Sequence, residues 1–448
     1  MIFLWRVTYV VYRIFSRLRY GVTRRFTRAG LAVLGGLTVA GAMGLDTENT
    51  VAYQAFTLLW FLVFVAVAFS CRFKLRFSAV RSLPRFGTAG RPFTYRVAIR
   101  NLTAKTQKGL TLLENPADPR PPFREWLAVQ RAEEKLARSF RVSRRQYGNP
   151  FRLATIKEAD LPPLPAREEG ETQVELTPLR RGVLQFRGLT LARTDPLGLF
   201  RAYRRTVLPQ SVLILPKRYP LPPIALPGGL KYQEGGVALA SNVGQSDEFV
   251  SLRDYRRGDP LRHIHWRSWA KTGQPIVKEF EDEFFVRHAL VLDTFTDVPH
   301  SEVFEEAVSV AASFACTLVT QESLLDLLFV GTQAYCFTAG RGLAHADQML
   351  EILASVRACA DKTFEKLEHL VLNHVSTVSG CICVLLAWDN ERREFVQRLK
   401  ALGVPVLVLV IVPPGGGLSG EGGPMQDAPG RLHVLEVGQI KQGLAKLQ

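Results

Sequence analysis

ALVLDTF (Ala289–Phe295), CICVLLAW (Cys381–Trp388) and VPVLVLVIV (Val404–Val412) are continuous apolar runs, separated by amphipathic stretches. A strand that is apolar on both faces must be covered on both faces, and this is the condition of a parallel sheet sandwiched between helices. LLDLLFVG (Leu324–Gly331), QAYCFTAG (Gln333–Gly340) and RLHVLEV (Arg431–Val437) supply further strands. Ser301–Gln321, His345–Ala360, Phe364–Val378 and Glu391–Leu402 read as the covering helices. Residues 286–448 are therefore expected to form an α/β domain of Rossmann type with a parallel sheet. Pro413–Pro429 is a Gly/Pro-rich loop with no G-K-[ST] after it, and no nucleotide-binding fingerprint occurs in the chain.

Toward the N-terminus the pattern shortens to period two. FTYRVAIRN (Phe93–Asn101) alternates, and GLTLLEN, TQVELTPL, GVLQFRGLTLA and SVLILP follow between Gly/Pro turns. This predicts a β-sandwich over 77–216. Residues 124–170, with RAEEKLARSF and LPPLPAREEG, read as an insertion on it.

Further upstream lie two uncharged runs, Ala29–Leu45 of 17 residues and Val51–Cys71 of 21, both within the roughly 17–25 residues of a spanning helix. Asp46 and Glu48 lie between them, and Arg72, Lys74 and Arg76 follow, so the positive-inside bias predicts a transmembrane hairpin over 29–76 with both ends in the cytoplasm. Thr23-Arg24-Arg25-Phe26 and Ala40-x-Ala42 mimic a twin-arginine export signal, but the second run with its trailing cations keeps the predicted topology. Residues 1–28 carry seven arginines and no acid. Arg6, Arg13, Arg17 and Arg24 fall on one helical face with Val10, Ile14, Phe15 and Leu18 available to lipid, as in a segment lying on an anionic leaflet.

The whole chain of 448 residues has 57 Lys+Arg against 41 Asp+Glu, a net charge of +16, with 47% hydrophobic and 22% charged residues. That composition belongs to a folded protein of two or three domains with anionic partners. The basic N-terminal segment assigns much of the charge to membrane lipid, and no groove-reading or base-stacking motif points to nucleic acid. Six cysteines without a C-x-x-C pair read as core thiols, with Cys71 at a membrane edge, and exclude a disulfide framework.

Between the two soluble regions, 217–285 reads as a linker holding DEFVSLRDYRRGDPLRHIHWRSWAKTGQPIVKEFEDE (Asp247–Glu283). Arg253, Asp254, Arg256, Arg257, Asp259 and Arg262 alternate in sign about Gly258, so the segment folds only if planar Arg–carboxylate forks form or another protein is met. His263 and His265, on one side of an extended strand beside Asp259, are the candidate start of a metal-dependent hydrolytic site, the alternative to a binding role.

Arg253, Tyr255, Gly258, Asp259, Arg262, Ile264 and Trp266, in the pattern R-x-Y-x-x-G-D-x-x-R-x-I-x-W, resemble the signature of the bacterial domain-of-unknown-function 58 family. Arg181-Gly182, Asp195-Pro196-Leu197-Gly198-Leu199-Phe200 and the LILP run ending at Pro216 also match, and His265 stands where the family usually has an acid. The resemblance implies a membrane-anchored α+β multidomain protein whose C-terminal domain is similar to a von Willebrand factor A domain. Such domains often hold a divalent cation through D-x-S-x-S, a loop Thr and a late Asp. The corresponding residues are Asp293, Asp297 and Asp389, but Phe295 replaces the first Ser, so a site for magnesium is expected to be degenerate. The implied role is a non-enzymatic scaffold or adaptor on the bacterial inner membrane, with its soluble domains in the cytoplasm. Its implied partners are a hexameric AAA+ ATPase of the MoxR type and other von Willebrand A-like proteins, in assembly or maturation of proteins.

Overall fold

The structure, a computed structural model, describes residues 2–43, 50–118, 120–138, 151–222, 249–259, 261–280, 287–298, 301–319, 324–339, 343–360, 363–417 and 423–447. The acidic connector at Asp46–Asn49, the end of RAEEKLARSF, Pro260 and the two ends of the charged stretch lie outside the described residues. The chain divides into two compact units, Met1–Leu215 and Pro216–Gln448.

The first unit opens with three helices, α1 (Ile2–Arg25), α2 (Arg28–Met43) and α3 (Thr50–Cys71). Val51–Cys71 is the one helix among the described residues long and apolar enough to cross a membrane. The hairpin reading expected two such spans; α2, at 16 residues, reaches about 24 Å at 1.5 Å per residue, short of a hydrocarbon core of roughly 30 Å. The two helices pack closely where α2 has small residues. A Cβ on Gly36 would lie 3.3 Å from Leu59, and one on Gly41 3.3 Å from Phe56.

After α3 come β1 (Phe77–Ser82), β2 (Phe86–Thr88), β3 (Phe93–Asn101), β4 (Leu110–Pro116), α4 (Phe123–Arg138), β5 (Ala154–Ile156), β6 (Ala159–Asp160), β7 (Glu169–Pro178), β8 (Gly182–Thr194) and β9 (Arg201–Leu215). They form two sheets, ordered β1-β3-β7-β5 and β2-β9-β8-β4-β6. The alternation of β3 buries Tyr95, Val97 and Ile99 in a common core with Leu112, Leu184, Leu191 and Ile214 from the other sheet.

A buried ion pair ties the two sheets together. Arg81 of β1 makes a fork with Glu114 of β4, Nε to Oε1 at 2.9 Å and Nη2 to Oε2 at 2.6 Å, and the Tyr95 hydroxyl donates to Oε1 at 2.9 Å. Both charged side chains are fully buried, a state that requires this degree of mutual satisfaction. The stretch 124–170 is more than an appendage: after α4 it contributes β5 to one sheet and β6 to the other, and Leu161 and Leu164 enter the core. Proline and charge in LPPLPAREEG conceal two buried leucines whose i, i+3 spacing is not that of a strand, while the two prolines between them exclude a helix.

The second unit contains a two-stranded hairpin, β10 (Phe249–Asp254) and β11 (Ile276–Phe280), with α5 (Trp266–Thr272) between its strands. There follow β12 (Arg287–Leu292), α6 (Glu302–Val319), β13 (Leu324–Val330), β14 (Ala334–Ala339), α7 (Leu343–Ser355), α8 (Glu365–Leu372), β15 (Gly380–Leu385), α9 (Asn390–Ala401), β16 (Val406–Val412), β17 (Leu432–Glu436) and α10 (Ile440–Leu444). Six strands form one sheet in the order β14-β13-β12-β15-β16-β17. It is parallel except for β14, which pairs antiparallel with β13. The fully parallel expectation is corrected at that edge, because a three-residue turn after Val330 leaves no room for a crossover.

Alternate residues explain the continuous apolar runs. Val291, Cys383 and Val408 face Phe364, Leu367, Phe395 and Leu399 of the α8–α9 side, while the intervening Leu290, Ile382 and Leu409 are equally buried, with α6 lying against β12, β13, β15 and β16. The expected helix 364–378 stops at Leu372, and Val375–Thr377 tightens to a 3₁₀ turn, where β-branched residues disfavour continuation. Cys381 and Cys383 are core thiols, Cys316 and Cys359 are partly buried, and Cys336 on the edge strand is exposed.

Candidate functional site

Two constellations carry the candidate site residues, and both belong to the second unit. In the hairpin, each residue of the charged motif has a distinct structural part. Arg253 of β10 grips Asp259 with both terminal nitrogens, at 2.7 and 2.9 Å, and the Arg256 amide donates to the same carboxylate at 2.7 Å. The Arg253 side chain first, then the Arg256 amide, pulls the Asp259 carboxyl down to about 2, so it is ionised throughout the neutral range. Gly258 sits at φ +115°, which only glycine adopts without strain. Tyr255 donates its amide to the Pro275 carbonyl at 2.9 Å. Ile264 is buried and bridges Val277.

The remaining motif residues face outward. Arg256, Arg257, Leu261, Arg262 and Trp266 are exposed; Trp266 stacks on Trp269, ring centroids 5.2 Å apart and 19° from parallel. His265 does not face Asp259. Its Nδ1 lies 2.6 Å from the Ser268 hydroxyl, and its carbonyl accepts the first amides of α5. His263 lies beside Arg262, whose Nε donates to Nε2 at 3.3 Å. Among the described residues no group of three His, Cys, Asp or Glu side chains gathers in a metal-binding arrangement.

The second constellation stands at the carboxyl end of the large sheet. The chain leaves β12 toward β13 on one side and returns to β15 on the other, which makes these strand ends the switch point where doubly wound sheets place their ligands. Asp293 follows β12 and Asp389 caps α9 after β15. The structure puts Arg392 between them. Its Nε donates to Asp293 Oδ2 at 2.6 Å and its Nη1 to Asp389 Oδ2 at 2.5 Å, while its own amide donates to Asp389 Oδ1 at 3.1 Å. Asp293 also accepts the amides of Phe295 at 2.9 Å and Leu386 at 3.0 Å.

Asp293 is fully buried and Arg392 is 6% exposed. Burial acts to lower the Arg392 pKa, yet the Asp293 and Asp389 charges outweigh it and raise it, so the guanidinium stays charged. The face of Phe364 lies 4.9 Å from its central carbon. Phe295 packs its ring against Phe364 at 5.8 Å and joins the core cluster, while Asp297 is exposed. These residues do not fit a divalent cation: two carboxylates are already bridged by a guanidinium, and the position of a ligating hydroxyl is an aromatic ring. Sequence reading missed Arg392. Its only local signal is the D-x-x-R spacing of a capped helix start.

A model of the family described as protein of unknown function DUF58 matches residues 251–411. Uncharacterized protein YeaD of Bacillus subtilis (strain 168) is 28% identical over 184 residues, 40% of this chain, and the match spans 44% of that protein. Among solved structures, a CARDB domain from Pyrococcus furiosus (10% identity, TM-score 0.17, 31% of this chain and 94% of that one) and the fimbrial subunit AggA of Escherichia coli (10% identity, TM-score 0.16, 32% and 96%) are similar only at a level that carries no argument. Residues 251–411, from the hairpin that holds Arg253 on Asp259 to β16, are the part of the chain similar to the DUF58 family.

Proposed function

We propose that this protein is a membrane-anchored adaptor that binds a partner protein through the β10–α5–β11 hairpin and performs no catalysis of its own. The observation that carries the reading is the division of labour within the charged motif. Arg253, Gly258, Asp259 and Ile264 build the hairpin, whereas Leu261 (68% exposed) and Trp266 (64% exposed) stand in solvent beside Arg256, Arg257 and Arg262. Exposed aromatic and aliphatic anchors ringed by arginine are the composition of a protein-binding hot spot for an acidic partner.

The C-terminal unit is read as von Willebrand factor A-like, which its strand order with one antiparallel edge supports, and Arg392 replaces a cation as the bridge between its two carboxylates. The partner suggested by the family resemblance is an AAA+ ATPase of the MoxR type. The anchor is read as a hairpin of α2 and α3, with the soluble units on the cytoplasmic face of the bacterial inner membrane. Support comes from α1: Trp5 and Tyr12 pack on Trp126 of α4, both with centroids 5.9 Å away, so α1 and the sandwich share one side of the membrane and the chain between them crosses it an even number of times.

The test is co-purification from detergent-solubilised membranes. Trp266→Ala and Arg256→Glu should leave melting unchanged and reduce recovery of the ATPase by about thirtyfold, the equivalent of a 2 kcal/mol hot spot. Undiminished recovery in both variants overturns the reading.

A further inference from the structure

A groove of about 950 Å³ runs along α1 from Tyr9 and ends at Phe26, next to the start of α2. Arg13, Arg17 and Arg25 of α1 and Arg205 of β9 line it together with Ile14 and Leu18, and no carboxylate contributes to its lining among the described residues. Ile14 and Leu18 are 60% and 61% exposed, in a helix whose aromatic side is already occupied: Tyr9 and Tyr12 meet Trp126, and the Tyr9 hydroxyl donates to the Pro121 carbonyl at 2.8 Å. The groove is thus an open apolar strip of α1 with four guanidiniums along it, on a helix held against the sandwich.

We infer that this groove is a binding site for one anionic glycerophospholipid, its phosphate held by neighbouring guanidiniums of the row Arg13, Arg17, Arg25 and Arg205 and an acyl chain laid over Ile14 and Leu18. Guanidiniums match phosphate oxygens in planar pairs, and a groove without any acid selects an anion. An apolar floor adds nothing for a small soluble anion, whereas burying methylenes of an acyl chain is favourable along its length. The end beside α2 places the groove next to helices that carry the chain to the lipid phase. A second copy of the chain is disfavoured as occupant, because it would bring the same row of arginines against this one. The inference rests on the membrane-anchoring part of the proposed function and adds to it a bound, stoichiometric lipid.

The experiment uses the full chain in mild detergent, with an equimolar mixture of phosphatidylglycerol and phosphatidylcholine and with bound species counted by native mass spectrometry. One phosphatidylglycerol should be retained in preference to phosphatidylcholine by at least about tenfold, because arginines beside a headgroup favour the anionic lipid. Arg13→Gln with Arg17→Gln, and separately Arg205→Gln, should abolish that preference with melting unchanged. Ile14→Asn with Leu18→Asn should reduce retention of both lipids. Arg100→Gln, an exposed arginine on β3, should change neither. Equal retention of the two lipids, equal loss in the Arg100 control, full displacement by millimolar inorganic phosphate, or a co-purifying polypeptide in place of lipid each overturns the inference. A chain extracted from membranes by carbonate would instead refute the anchor itself, so the two failures are distinct.

Discussion

At 6% exposure, Arg392 keeps a cation inside an apolar unit only because Asp293 and Asp389 face it, and the removal of one member of such a set leaves a buried charge uncompensated. Arg392→Ala should therefore lower the opening free energy of the β12 and β15 amides by about 3–5 kcal/mol, read by hydrogen exchange on the full chain. Arg392→Lys should fall between, since an ammonium keeps the charge but cannot reach both carboxylates with a planar fork. Millimolar magnesium should leave the exchange of the unaltered chain as it is, because a ligand stabilises a fold only by binding it; added protection of β12 would show that a cation displaces the guanidinium. Little of this was legible in the sequence. Asp293 and Asp389 could be placed at strand ends from the apolar runs before them, but an arginine on the first turn of a charged helix reads as solvated until the sheet order brings it against β12.

At the scale of elements, the turn Asp195–Phe200 joins the sandwich to α2 and α3. Asp195 accepts the amides of Leu197, Leu199 and Phe200 at 2.8, 2.8 and 2.6 Å, which curls the turn and presents Leu199 and Phe200 to Ala66 of α3 with Val33 of α2. Thr27 donates its hydroxyl to the Gly198 carbonyl, and a Cβ on Gly30 would lie 2.0 Å from the Leu199 carbonyl oxygen. Asp195→Ala should cost about 1–3 kcal/mol for each amide left without an acceptor, and Gly30→Ala should push the turn off α2. Both variants should speed exchange of the Leu199 and Phe200 amides without altering β3. Unchanged exchange at both positions would show that the turn is held by the sandwich alone. Asp195–Phe200 was legible only as a match to the family pattern, whereas the alternation in β3 is plain. What the turn touches was not readable, since the helices it meets lie more than a hundred residues away and show only apolarity.

For the molecule as a whole, α1 is the element that constrains topology. Arg24 donates to Asn115 Oδ1 at 2.7 Å and to the Glu114 carbonyl at 2.6 Å, and the Tyr203 hydroxyl donates to the Arg24 carbonyl. With the aromatic contacts to Trp126, these bonds fasten α1 along the first unit on the same side as β1–β9. Among the described residues only α3 is long and apolar enough by itself to span, and a single crossing would separate α1 from the strands it touches. Either α2 completes a hairpin with a locally thinned bilayer, at fractions of a kcal/mol per Å of mismatch, or the chain does not cross at all. On the proposed hairpin, the arginines of α1 and the cations after α3 predict both ends in the cytoplasm. Reporters active only in the cytoplasm should be active at Met1 and at Gln448 alike, and a cysteine introduced at Thr47 should react with an impermeant thiol reagent from the outer side. Labelling at Thr47 only after lysis would remove the hairpin, and opposite reporter signals at the two ends would mean that the α1 contacts with α4 and β9 do not exist in the membrane-bound protein.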